Sequence, residues 1–214
     1  MFCVAALGGA LLPCPDTRCS AITMNERSRR RTFRHTSHAA YFSSRRDIGI
    51  VVAEHVDDYR AAVESLVRPE DVALEVGCAG GKTTDALGRR ACLSFGIDKS
   101  LSPAMLAEQQ RYASQRTRFL QMDATDIGAL LRLSRAAALE AKELVDAPPA
   151  GFSVILLDIS GSAKISSVLD LLERYESCFG DSLRLVVVKS FRLACLLDRA
   201  RLFESAADRA RTGV

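Results

Sequence analysis

The stretch DVALEVGCAGGKTT (residues 71–84) decides the fold. Its first half is a short apolar run of the kind that forms a strand buried inside a sheet. Its three glycines allow the backbone to turn tightly and to approach neighbouring groups closely. A helical pattern begins directly after the turn. A strand, a glycine-rich turn and a helix in this order predict the opening unit of an α/β fold.

The same alternation continues along the rest of the chain. Apolar runs predict five strands, and residues with helical spacing lie between them. The predicted strands are residues 71–77, 91–97, 117–122, 152–157 and 183–188. The predicted helices are residues 47–67, 83–90, 100–113, 126–145, 163–179 and 195–209. We therefore expect a Rossmann-like α/β fold whose mainly parallel sheet has at least five strands and is covered on both faces.

The first 46 residues are predicted to form a basic segment separate from the folded domain, residues 47–214. Residues 1–50 contain eight arginines and three acids, a net charge of +5, which leaves −2 for the remainder. Residues 27–46 are rich in Arg and Ser and contain no acid, as in organelle transit peptides. We expect a sorting segment for a mitochondrion or plastid. A cytoplasmic tail, an RNA-binding arm and a translation start at Met24 stay open as alternatives.

Composition excludes several classes of protein. The hydrophobic fraction of 48% and the charged fraction of 26% are close to the globular average, unlike those of a collagen, a wholly disordered chain or a coiled-coil rod. No apolar run reaches roughly 18 residues, so no membrane span is expected. The seven cysteines include no CxxC pair, and all three histidines precede the glycine-rich turn, so neither a metal site nor a His-based triad is expected.

Four of the predicted strands end in an acid: Glu75, Asp98, Asp123 and Asp158. Ligands of parallel α/β sheets bind in the crevice at the carboxyl ends of the strands, so these acids are expected around one crevice. Their mutual repulsion has a cost unless a cation or a set of hydroxyl donors lies among them. Each acid could instead cap the helix that follows it, but a shared ligand explains the whole set better.

Phosphate-binding motifs fit the glycine-rich turn poorly. Gly81, Lys82 and Thr83 match the end of a P-loop, but the first glycine of that motif would fall on Val76. The GxGxxG spacing of a dinucleotide site is not met either. A polyphosphate would also face the strand-end acids. A phosphate ligand is therefore disfavoured at this turn.

The ordered motifs resemble those of the class I S-adenosylmethionine-dependent methyltransferases. The first motif of that family is an acid followed by a glycine-rich turn, which here reads EVGCAGG (75–81), with Ala79 in place of the middle glycine. GIDKS (96–100), QMDAT (121–125) and ILLDIS (155–160) are similar to the second, third and fourth motifs. The resemblance implies S-adenosyl-L-methionine as the cofactor. Its sulfonium cation would also suit an acidic crevice.

The resemblance also implies a role for each matching residue. Glu75 would face the ammonium group of the cofactor, Asp98 the ribose hydroxyls and Asp123 the adenine amino group. Asp158 would lie beside the methyl group. The implied cofactor-binding residues are Glu75, Gly77, Cys78, Ala79, Gly81, Asp98, Lys99, Asp123, Ala124 and Asp158.

The end of the fifth predicted strand, VVVKSF (186–191), resembles the ribosomal-RNA 2′-O-methyltransferase family. That family uses a Lys-Asp-Lys-Glu set, of which Asp158 and Lys189 match two members and the other two have no counterpart. The resemblance implies that these two residues are catalytic and take the proton of a ribose hydroxyl; a purely structural salt bridge is the alternative. We expect a methyltransferase with RNA as the first acceptor. A small-molecule acceptor and a catalytically silent binding module stay open.

The predicted sheet lacks the antiparallel C-terminal hairpin that closes the seven-stranded class I fold. After the last predicted helix only five residues remain. An uncovered sheet edge is a site at which further strands can pair. Three interpretations stay open: a minimal five-stranded version of the fold, a truncated sequence, or an edge completed by a partner subunit or by the N-terminal segment.

Overall fold

The computed structural model describes residues 48–160 and 163–200, in which six strands alternate with six helices. The strands are β1 (Gly49–Ala53), β2 (Val72–Val76), β3 (Leu93–Asp98), β4 (Thr117–Gln121), β5 (Val154–Leu157) and β6 (Leu185–Lys189). The helices are α1 (Val56–Leu66), α2 (Lys82–Arg90), α3 (Pro103–Tyr112), α4 (Ile127–Ala141), α5 (Ile165–Phe179) and α6 (Phe191–Arg199). Over these residues no helix combines the length and apolar character needed to cross a membrane.

All six strands form one sheet in the order β1-β6-β5-β2-β3-β4, and every pairing is parallel. The chain runs outward from β2 to β4, then returns to β5 on the other side of β2. The direction of winding therefore reverses between β2 and β5. In sheets of this kind the crevice for a ligand opens at that reversal, beyond the carboxyl ends of the strands.

Apolar side chains cover both faces of the sheet. On one face, α4, α5 and α6 pack over side chains that include Leu74, Ile155 and Leu157. On the other face, α1 and α2 pack over side chains that include Val154 and Leu156. The alternation along β5 shows that this strand is buried on both sides, as the continuous apolar run predicted. The Rossmann-like α/β fold expected from the sequence is confirmed.

The first strand corrects the sequence prediction of a helix throughout residues 47–67. Gly49–Ala53 forms β1, and α1 begins only at Val56. β1 pairs with β6 from Gly49 opposite Leu185 to Ala53 opposite Lys189. The β-branched residues of β1 suit a pleated strand. Pairing with β6 also satisfies the backbone amides and carbonyls of β1, an effect that the spacing of apolar residues does not reveal. The edge beside β6 is therefore occupied by β1.

The last helix also differs from the prediction, which placed it at residues 195–209. α6 begins at Phe191, because the hydroxyl of Ser190 accepts a hydrogen bond of 3.2 Å from the Leu193 amide and caps the helix. Residues 201–214 lie outside the described residues. The basic segment, residues 1–46, lies outside them as well, so its sorting role stays a prediction.

A buried polar cluster joins three strands at their amino ends. The Asp71 carboxylate accepts hydrogen bonds from Arg184 Nε at 2.9 Å and from the Ser153 hydroxyl at 2.8 Å. These residues directly precede β2, β6 and β5. Asp71 is only 1% exposed, and an acid buried this deeply requires such partners. The cluster thus fixes the three strands at the end of the sheet opposite the crevice.

Candidate functional site

A cavity of about 680 Å³ opens at the carboxyl ends of the strands. It is bounded by the ends of β2 to β6, by the loops that follow them and by one side of α5. The lining residues are Val76, Gly77, Ala79, Ile97, Asp98, Lys99, Met122, Asp123, Ala124, Thr125, Asp158, Ile159, Ser160, Ser167, Asp170, Leu171, Arg174 and Lys189. This volume lies within the usual range for small-molecule and cofactor sites.

The cavity brings together most of the residues singled out from the sequence. Both predicted catalytic residues, Asp158 and Lys189, line it. Seven of the ten predicted cofactor residues line it as well: Gly77, Ala79, Asp98, Lys99, Asp123, Ala124 and Asp158. The other three, Glu75, Cys78 and Gly81, lie outside the lining. The roles implied for all of these residues stay predictions.

The glycine-rich loop after β2 is packed tightly between the ends of β3 and β5. A β-carbon at Gly77, where φ is +82°, would lie 1.9 Å from the Asp158 carbonyl oxygen. The amides of Gly77 and Cys78 both donate to the Ile97 carbonyl, at 2.8 and 3.1 Å. Position 77 therefore accepts only glycine, and the loop backbone forms one wall of the cavity.

Asp98, at the end of β3, is held by two backbone amides. Its Oδ2 accepts a hydrogen bond of 3.1 Å from the Ala79 amide in the glycine-rich loop, and its Oδ1 accepts one of 3.0 Å from the Ser100 amide. Each carboxylate oxygen has two acceptor sites, so both oxygens keep capacity for a further donor. Asp98 can therefore accept hydroxyl groups of a ligand in a fixed orientation.

Asp123, which follows β4, is ionised at neutral pH. The amide and hydroxyl of Thr125 donate to its Oδ1 at 2.9 and 2.8 Å, and Lys99 Nζ lies 3.1 Å from its Oδ2. The Thr125 hydrogen bonds, followed by Lys99, lower the pKa of Asp123 to about 2. The Tyr175 hydroxyl of α5 donates to the Ala124 carbonyl at 2.7 Å. The loop that carries Asp123 is thereby tied to α5.

Asp158 and Lys189 form a salt bridge inside the cavity, with 2.8 Å between Lys189 Nζ and Asp158 Oδ2. They end the neighbouring strands β5 and β6, in which Leu157 pairs with Val188. Each side chain is 21% exposed, so the pair is partly shielded from solvent. The structure thus places the two side chains where both the catalytic hypothesis and the structural alternative require them.

Glu75 lies beneath the loop and not in the cavity. It is 2% exposed, and its Oε2 accepts a hydrogen bond of 2.5 Å from the hydroxyl of buried Thr84. Burial raises the pKa of Glu75 to about 8, and the charge of Asp158 adds to the effect, while Thr84 and Arg60 oppose it. Glu75 is therefore largely uncharged at neutral pH.

Cys78 and Gly81 serve the packing of the loop. Cys78 is 5% exposed, and burial raises the pKa of its thiol above the usual range, which makes it unreactive at neutral pH. Gly81 precedes α2 with φ of +90°, and a β-carbon there would lie 2.6 Å from the Phe119 ring. A side chain at position 81 would thus collide with β4 and not with the contents of the cavity.

One wall of the cavity, formed by α5, was not predicted from the sequence. Ser167, Asp170, Leu171 and Arg174 of α5 line it. Their spacing of three, four and seven residues places them on one face of a helix. That spacing was readable from the sequence, but nothing in it showed that α5 would border the crevice.

The comparisons with known proteins concern the fold only. No family model matches the chain, and no curated protein matches it. A methyltransferase from Thiobacillus denitrificans, which depends on S-adenosylmethionine and was solved with S-adenosyl-L-homocysteine, is 14% identical, with a TM-score of 0.37, over 61% of this chain and 45% of its own. A precorrin 8W decarboxylase from Methanobacterium thermoautotrophicum is 19% identical, with a TM-score of 0.40, over 64% of each chain.

A dimethyladenosine transferase from Plasmodium falciparum is 16% identical, with a TM-score of 0.36, over 57% of this chain and 38% of its own. The chain thus covers less than two thirds of the length of each of these structures.

Glu75→Gln should remove a pH dependence from the stability of the fold. Between pH 4.5 and about 8 the folded protein keeps a proton on Glu75 that the unfolded chain has already released. The stability gained from this proton is fully present below the lower value and is lost as pH rises towards the upper one, by at most about 1.4 kcal/mol per pH unit.

Urea unfolding of both proteins at about pH 5.5 and about pH 7.5 measures this effect. The wild type should lose stability relative to Glu75→Gln at the higher pH. Equal differences between the two proteins at both pH values would show that Glu75 titrates normally.

Proposed function

We propose that the protein is an S-adenosylmethionine-dependent methyltransferase. The observation that carries the proposal is the Asp98 carboxylate, held against the Ala79 amide of the glycine-rich loop and lining the cavity beyond β3. A fixed acid at this place accepts the two hydroxyls of a ribose. The order of the motifs in the sequence supports the same cofactor.

The residues around the cavity fit a cofactor that combines a cation with an apolar ring. Two of the cavity acids, Asp123 and Asp158, are paired with Lys99 and Lys189, whereas Asp98 has only backbone donors within residues 48–160 and 163–200. With Asp170 and Arg174 included, the lining holds four acids and three cations, so one net negative charge remains, which suits a sulfonium ion better than a phosphate. Apolar side chains supply surface for a base: Val76, Ile97, Met122, Ile159 and Leu171.

When bound, the cofactor would supply an electrophilic methyl group for the acceptor atom, with its sulfur as the leaving group. A hydroxyl acceptor must also lose its proton as it attacks. We propose that the pair formed by Asp158 and Lys189 takes that proton, supported by its position in the cavity. In their salt bridge the ammonium of Lys189 has only donors, so the free lone pairs belong to Asp158. Lys189 accepts the proton itself only after releasing one of its own.

For the acceptor we propose a ribose 2′-hydroxyl of RNA. Support comes from the VVVKSF sequence at the end of β6 and from the salt bridge between Asp158 and Lys189. The arginines of residues 27–46 could contact phosphates of the same RNA. We propose further that this segment directs the protein to a mitochondrion or plastid. A small-molecule acceptor, or cofactor binding without catalysis, is the outcome to be expected if RNA fails as a substrate.

Asp98→Ala should weaken binding of S-adenosylmethionine and S-adenosylhomocysteine by about tenfold or more, because a charge-assisted hydrogen bond is lost. Isothermal titration measures both ligands. Asp181→Ala is the matched control, since Asp181 is exposed and does not line the cavity. Wild-type protein that binds neither ligand would refute the proposed function. Unchanged affinity in a folded Asp98→Ala protein would refute only the assignment of Asp98.

Lys189→Met should leave cofactor affinity within about threefold and lower the rate of methyl transfer roughly a hundredfold, because the proton-transfer pair loses the ammonium that holds the Asp158 carboxylate. The assay follows labelled methyl groups from S-adenosylmethionine into RNA. Alkali-stable labelled dinucleotides would identify a ribose acceptor, because a methylated 2′-oxygen cannot attack the adjacent phosphate. Lys142→Met, at an exposed position outside the cavity, is the control. Normal turnover by Lys189→Met would contradict the catalytic role and show that Lys189 is structural.

Deletion of residues 1–46 should leave cofactor affinity intact and move a tagged protein from an organelle to the cytosol. Fluorescence microscopy of the tagged full chain and of the deleted chain measures the location. If the segment is an RNA-binding arm instead, the location will not change. RNA affinity, and its dependence on salt concentration, will then fall.

A further inference from the structure

Ala79 adopts a backbone conformation that normally favours glycine. Its φ is +44°, in the left-handed region, where a β-carbon has a steric cost. In this conformation its amide donates to Asp98 Oδ2 at 3.1 Å, and the residue lines the cavity. The contact between the loop and Asp98 therefore depends on holding Ala79 in an unfavourable conformation.

Gln109 of α3 holds the other side of the same residue. Its Nε2 donates to the Ala79 carbonyl at 2.5 Å and lies 3.5 Å from Cys78 Sγ. Gln109 is 3% exposed, although it belongs to a helix whose other residues are at most partly buried. A buried amide needs partners, and the partners given to Gln109 both belong to the glycine-rich loop.

The residue before it in α3 supports the same loop. The Glu108 carboxylate lies 3.6 Å from Lys82 Nζ, and a β-carbon at Gly80 would come within 2.2 Å of Glu108 Oε2. α3 thus packs against the loop over residues 78–82. Of these contacts, the one from Gln109 is made to Ala79, the residue whose amide contacts Asp98.

We propose that Gln109 is a positioning residue for the cofactor. It clamps the Ala79 carbonyl and so keeps the Ala79 amide directed at Asp98, which orients the carboxylate in the cavity. The inference rests on the proposed function, because it takes S-adenosylmethionine as the ligand. Glycine at position 79 would need no clamp, since it adopts the left-handed conformation without steric cost.

The test compares Gln109→Leu with Gln110→Leu, a change of the same kind at the exposed neighbouring position. Titration with S-adenosylhomocysteine should give Gln109→Leu a dissociation constant about tenfold above that of the wild type. Gln110→Leu should bind like the wild type. Turnover of RNA at saturating cofactor should change less than about threefold, because Gln109 does not touch the salt bridge between Asp158 and Lys189.

The second half of the test repeats Gln109→Leu in an Ala79→Gly protein. There the loss of affinity should shrink below about threefold, because the glycine has no left-handed strain for the clamp to offset. A general packing role for Gln109 would give the same loss in both backgrounds and would overturn the proposal. Binding by Gln109→Leu equal to that of Gln110→Leu would overturn it as well.

Two further measurements separate this inference from the proposed function. If the wild type binds no cofactor, the proposed function fails, and urea unfolding of the unliganded variants decides whether the clamp exists. Non-additive stabilities of Gln109→Leu and Ala79→Gly support it, and additive ones overturn it. If Gln109→Leu does not fold, Gln109→Glu replaces it, because a carboxylate has a similar size but cannot donate to the Ala79 carbonyl.

Discussion

Gly77 and the Asp158 carbonyl lie so close that no side chain fits between the glycine-rich loop and the end of β5. This contact joins the two strands between which the winding of the sheet reverses. Because the loop lies directly on β5, its backbone and the Asp158 side chain border the same cavity. The amides of Gly77 and Cys78 add two hydrogen bonds to β3, both accepted by the Ile97 carbonyl. The site is thus assembled by backbone contacts that tolerate little change.

The charges at this end of the sheet are balanced in three different ways. Asp123 and Asp158 are paired with lysines, and Glu75 is buried and keeps its proton at neutral pH. Asp98 is held by amide dipoles and has no cationic partner among the described residues. Three of these four acids line the cavity, and Asp98 keeps acceptor capacity for a ligand. The sequence predicted all four around one crevice, whereas Glu75 is buried beneath the loop, outside the cavity lining.

Much of the fold could be predicted from the sequence, because five strands are apolar runs bounded by turns or acids. The sixth, β1, could not, since its residues also fit the helical spacing that continues into α1. Pairing with β6 decides between the two, and that pairing joins residues more than 130 positions apart. Tertiary contacts override local pattern in such cases.

For the site, motifs predicted the residues at the strand ends, because the carboxyl ends of parallel strands lie at the same edge of the sheet. They did not predict Gln109 or the wall formed by α5. Helix packing brings those residues to the cavity and its loop. Their distance along the sequence from the motifs is therefore not fixed, and no motif marks them. Glu75 was predicted in the cavity for a different reason: its motif fits, but strand alternation turns its side chain to the buried face that Ala73 shares.

The unpredicted strand has a consequence for the proposed chemistry. Without β1, β6 would form the edge of the sheet, and Lys189 would end a strand paired on one side only. With β1 in place, Ala53 pairs with Lys189, and the Ala53 carbonyl accepts a hydrogen bond of 3.0 Å from the Ser190 amide. Ser190 in turn caps α6. The pairing with β1 and the cap of the following helix therefore fix the backbone of Lys189 where its ammonium lies 2.8 Å from Asp158 Oδ2. A proton-transfer pair needs this kind of preorganisation, and an isolated surface salt bridge would not supply it.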